Sequence, residues 1–141
     1  MIVLDDHHLF AVLTGRESPG LLELRDQSLA TTGSWYYRLA RAVANGSGDG
    51  TLSRRFAALA VEDQARMRSA LNELPIEITT LDVREFTPVM AALSSIVNVN
   101  FLTAEAVATA LILNATIVVS TSSPLLDRAG ATAHVRIAVI A

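Results

Sequence analysis

The chain contains no cysteine and no lysine, few aromatic residues (5%) and little charge (18%) for its 141 residues. Without cysteine, disulfide frameworks and thiolate metal centres are excluded. The three histidines, two of them adjacent (His7, His8), leave little material for a zinc cage. The formal net charge of -3 argues against a general nucleic-acid binder, which shows a basic face, but leaves room for a small site that handles RNA through metal ions. All 11 basic residues are arginine and 22 residues are alanine, a bias expected of GC-rich coding sequence that carries no functional information. No positively charged, apolar leader opens the chain, since MIVLDDHH is acidic where a secretory signal needs positive charge. The best membrane candidate, residues 102–119, is interrupted by Glu105, Asn114 and three threonines, so a cytoplasmic protein without a membrane span is expected.

What remains is a greasy chain, 51% hydrophobic, of a length that suits one domain over residues 1–141. Residues 1–4 form a short apolar run that reads as a buried strand. Helix is expected from about 9 to 13, stopped by Gly15, and again over 21–27 after Pro19-Gly20. Residues 28–32 are a second strand, and 34–44 carry Trp35, Leu39, Ala42 and Val43 at helical spacing. NGSGDG (45–50) is the clearest loop. Helices follow at 52–59 and 62–74, then a strand at 76–81, a helix at 83–96 with Pro88 in its first turns, and a helix capped by Thr103 and running to Leu113 with Glu105 in its first turn. A strand at 117–120 leads to a short helix opened by Ser123-Pro124, and 134–140 is the last strand. Five strands with helices between successive pairs imply a three-layer α/β/α sandwich around a mainly parallel sheet.

In such a sheet functional groups gather beyond the carboxyl ends of the strands. Two ends stand out: Asp5-Asp6-His7-His8 after the first strand, and Ser120-Thr121-Ser122-Ser123 after the fourth. Carboxylates that converge there suit a hard cation such as Mg²⁺, which activates water and stabilises a phosphoryl transition state. Simpler roles compete with this one. Asp5 or Asp6 can cap a helix, Glu105 can answer its own helix dipole, and the four hydroxyl residues can be turn formers or a phosphate cradle. His7 and His8 lack the spacing that places two imidazoles on one helical face. Trp35, Tyr36 and Tyr37 can stack bases or fill the core. The chain has no G-x-G-x-x-G, and NGSGDG lacks the lysine of a phosphate-binding loop, so nucleotide binding by Ser120 to Ser123 is the weakest reading.

MIVLDDHHLFAVLTG resembles the opening strand and helix of PIN-domain proteins, and LTAEAVATALILNATIVVSTSSPLL is similar to the C-terminal signature of that family. The resemblance spans essentially the whole chain. It implies a Mg²⁺- or Mn²⁺-dependent endoribonuclease of the VapC toxin type, acting on single-stranded RNA, paired with an antitoxin protein and commonly a homodimer. Asp5 matches the first acid of the family and Glu105 the acid of the penultimate helix. The second acid belongs where Ser34-Trp35-Tyr36-Tyr37 stand, and the fourth where Ser120 to Ser123 stand. Asp6 is a partial substitute at best, because neighbours on a strand point to opposite faces. Two readings follow. In one, Asp5 and Glu105, helped by Asp6, hold an ion whose water attacks RNA, with Ser122 orienting a metal-bound water. In the other, the module is catalytically inactive and acts through protein or RNA partners, with residues 52–74 as the candidate contact surface.

Overall fold

The computed structural model describes residues 1–46 and 48–141; Ser47, in the loop expected at 45–50, lies outside the described residues. Strand β1 (Ile2–Leu4) leads into helix α1 (Asp6–Thr14), which Gly15 ends in the left-handed conformation that glycine adopts without strain. A single turn, α2 (Pro19–Leu22), precedes β2 (Leu29–Thr31) and helix α3 (Gly33–Asn45). Helices α4 (Thr51–Ala57) and α5 (Val61–Asn72) follow, then β3 (Ile78–Thr79), α6 (Val83–Ser94), α7 (Phe101–Leu113), β4 (Thr116–Val119), α8 (Pro124–Ala133) and β5 (Ile137–Val139).

The sheet has the order β3-β2-β1-β4-β5, and every pairing is parallel. This is the α/β/α sandwich expected, with the sheet wholly rather than mainly parallel, and it is compatible with a PIN-like fold. Alternation along the strands divides the core. Val3, Ala30, Ile117 and Val119 face Leu93, Ala106, Val107, Ala110, Leu126 and Ala129 from α6, α7 and α8. Ile2, Leu4 and Val118 face the other way, against Ala11 and Leu21 of α1 and α2. A third cluster, Leu9, Phe10, Leu39, Val43, Phe56, Met67 and Leu71, joins α1 and α3 to α4 and α5. The apolar residues of 52–74, expected as a contact surface, are therefore largely spent inside the chain's own core.

Four expectations change. The strand expected at 76–81 shrinks to two residues because Ile76 is 94% exposed and only Ile78 is buried at this sheet edge. The helix expected over 21–27 is one turn capped by Ser18. Helix α7 starts earlier than expected: Asn100, not Thr103, is the cap and accepts from the Thr103 backbone N–H at 2.9 Å. Glu105 thus lies in the second turn, out of reach of its own helix N-terminus. Asp6 is the first residue of α1 rather than a strand residue, so strand alternation does not separate it from Asp5.

Candidate functional site

Strands β1 and β4 are adjacent and parallel, so the chain leaves both at the same edge. That brings Asp5 and Asp6 beside Ser120 to Ser123. An open cleft of about 330 Å³ is lined there by Asp5, Asp6, Trp35, Arg38, Thr103 and Ser120 through Ser123, among others. A second hollow of about 480 Å³ shares Asp6, His7 and Arg38 with it and continues past Arg41, Asn45 and Thr51. Together they form one groove across the ends of α1 and α3.

Asp5 is the N-cap of α1 and almost wholly buried. Its Oδ1 accepts the His8 backbone N–H and the His8 ring, both at 2.8 Å. An ionised carboxylate cannot donate, so the ring proton sits on Nδ1. Its Oδ2 accepts the Ser120 backbone N–H at 2.7 Å and the Ser120 hydroxyl at 2.8 Å. Two bonds to each oxygen match the roughly four lone-pair sites that a carboxylate offers. Burial works to raise the Asp5 pKa, but the bonds from the His8 ring, Ser120 and the His8 backbone, with the His8 charge, outweigh it and hold the carboxyl below its ordinary range.

Asp6 is different. Oδ1 accepts the His7 N–H at 3.0 Å, while Oδ2 is buried with no hydrogen-bond partner. The Arg38 Nε lies 3.2 Å from Oδ2, an ion pair without hydrogen-bond alignment. Burial raises the Asp6 pKa; Arg38 offsets part of this, and the Asp5 charge adds to it. His7 faces the groove and takes a 3.3 Å contact from Arg55 at Nδ1.

Glu105, 2% exposed, lines neither hollow. Its Oε1 accepts the Ser34 backbone N–H at 2.8 Å, at the N-terminus of α3. A neighbouring N–H, that of Trp35, goes to the Thr32 hydroxyl at 3.1 Å. A carboxylate is favoured at such a helix start, and Gly33 leaves room for it: a Cβ there would come within 3.2 Å of Oε2. The dipole reading of Glu105 holds, but the helix it serves is α3 rather than its own.

The structure thus brings together Asp5, Asp6 and the Ser120–Ser123 turn and sends Glu105 elsewhere. Ser123 caps α8 through the Leu126 N–H at 3.4 Å, with Pro124 following, as expected. Thr121 and Ser122 line the cleft. Trp35 is core, Tyr36 is tied to the Leu71 carbonyl, and Tyr37 is exposed. Arg38, Arg41 and His8 were not singled out from sequence. The spacing of Arg38 and Arg41 by three puts both on one helical face, and Asp5 and His8 stand at the same spacing across a helix start, which are the signals that could have found them. Among the described residues no group of three or more His, Cys, Asp or Glu side chains gathers as a metal ion requires. Nor is any helix long and apolar enough to cross a membrane. No family model matches the sequence. No curated protein matches it significantly.

Proposed function

We propose that the chain is a PIN-like module that binds single-stranded RNA without cleaving it. The observation that carries the reading is the saturation of Asp5: four protein donors occupy its carboxylate. The residues present fit a Mg²⁺ or Mn²⁺ centre poorly, because Asp5 has no lone pair to spare, Glu105 serves α3, and Arg38 stands against Asp6. The groove supplies what backbone binding needs. Arg38 and Arg41 can meet phosphates and His7 lies between them and the Ser120 turn, in a space open to an extended strand.

The test is fluorescence anisotropy of an end-labelled single-stranded RNA. Two arginine–phosphate contacts give a log-affinity against log-salt slope of about -1.4. Arg41→Ala weakens binding and lowers the slope by about 0.7. The labelled RNA stays intact through long incubation with Mn²⁺. Cleavage by the wild type that disappears in Asp5→Asn establishes a nuclease instead, and absence of RNA binding removes the reading altogether.

A second reading has its own observation. Ile96 and Phe101 are exposed (69% and 64%) beside an apolar hollow lined by Met90, Val99 and Ala104 between α6 and α7. Patches of this kind mark protein contacts. A strictly monomeric mass over a wide concentration range, and no effect of Phe101→Ser on any association, would count against it.

A further inference from the structure

We propose that Ser120 and His8 do for Asp5 what a divalent cation does in a cluster of acids, and that a single substitution, Ser120→Asp, converts this self-satisfied site into a metal site. This goes beyond RNA binding and stands whether or not RNA is the ligand.

The argument begins with what a buried carboxylate demands. Asp5 is removed from water and must be neutralised or fully hydrogen-bonded. A second carboxylate opposite it would leave two like charges that only a cation could reconcile. Here the group opposite is the hydroxyl of Ser120, a donor, on a residue whose backbone N–H also points at the same oxygen. The other oxygen is taken by His8, whose position three residues into α1 lets backbone and ring reach the same atom. The adjacent Asp6 carboxylate keeps one oxygen buried and without a hydrogen bond. Replacing the Ser120 hydroxyl by a carboxylate removes a donor from Asp5 and adds a negative charge beside Asp5 and the free Asp6 oxygen. Three carboxylates then share one edge of the cleft, an oxygen donor set that Mg²⁺ and Mn²⁺ take with waters completing the shell.

The experiment is thermal unfolding of the full chain in EDTA and in millimolar Mn²⁺, with Mg²⁺ as a second probe, for the wild type and Ser120→Asp. The wild-type midpoint is expected to be the same in both. Ser120→Asp is expected to melt lower than wild type in EDTA and to rise by about 5 °C or more with Mn²⁺, because an ion bound only by the folded state stabilises it. A Mn²⁺ shift in the wild type that is lost in Asp5→Asn overturns the proposal, since Asp5 is then already a ligand. A folded Ser120→Asp that ignores Mn²⁺ also overturns it. Should Ser120→Asp be unfolded in EDTA, recovery of the fold on adding Mn²⁺ supports the proposal. If it folds under neither condition, Mn²⁺-induced broadening of wild-type amide signals decides. Selective loss of the Asp5, His8 and Ser120 signals overturns the proposal, and their retention supports it.

Discussion

Replacing Asp5 by asparagine removes one charge and almost no volume, and the hydrogen bonds fix what that costs. The asparagine carbonyl can keep the two His8 donors. Its amide NH₂ then faces Ser120, whose hydroxyl can turn and accept, but whose backbone N–H cannot. That buried N–H is left without a partner, at about 1–3 kcal/mol, and the two His8 bonds lose their charge assistance at about 1 kcal/mol each. A net destabilisation of about 3–4 kcal/mol follows, or a melting temperature lower by about 10–15 °C for a chain of this size. Urea unfolding of wild type and Asp5→Asn measures it directly, and its pH dependence identifies the cause. The folded-state pKa of Asp5 is lowered, so its contribution is present above the unfolded-state value and is lost as pH falls through the folded one. The gap between the two proteins therefore narrows in acid and is full at neutral pH. A variant as stable as the wild type, or more stable, would falsify this account: acids held together for a metal repel one another, and neutralising one relieves them.

Two further outcomes follow from the neighbouring carboxylates. Asp6→Asn is expected to leave stability unchanged or raise it by about 1 kcal/mol near neutral pH, because burial and the Asp5 charge raise the Asp6 pKa and ionising it costs stability as pH rises through that value; a loss above about 2 kcal/mol in urea unfolding would show that the Arg38 pair outweighs both. Glu105→Gln keeps an acceptor for the Ser34 N–H and costs about 1 kcal/mol, whereas Glu105→Ala orphans that N–H and leaves a cavity, costing about 3 kcal/mol; equal effects of the two would remove the helix-start role.

The strands and most helices were legible because the signals that make them are local. Apolar runs of three or four residues between polar breaks gave β1, β2 and β4, and Ser123-Pro124 and Gly15 punctuate helices by their own backbone chemistry. The start of α7 was misread because Asn100 and Thr103 are both cap formers, and the apolar Phe101-Leu102 between them is helix rather than lead-in. The edge strand β3 was overextended because alternation at 76–81 does not say which residues meet a core. The candidate site was legible as a place, the ends of β1 and β4, but not as a set of bonds. Glu105 finds its partner 71 positions away and Asp5 finds Ser120 across 115. No window along the chain contains either pair.

That last separation sets an order of events at the ribosome. The strand β1 sits in the middle of the sheet, with β2 on one side and β4 on the other. The His8 donors reach Asp5 as soon as the first turn of α1 forms, but Ser120 is made 115 residues later, roughly 6–23 s at ordinary elongation rates. During that interval one edge of β1 is an open, apolar strand edge, the kind that recruits other strands. The Asp5–Ser120 clasp is thus also a late lock, closing the sheet only when β4 arrives.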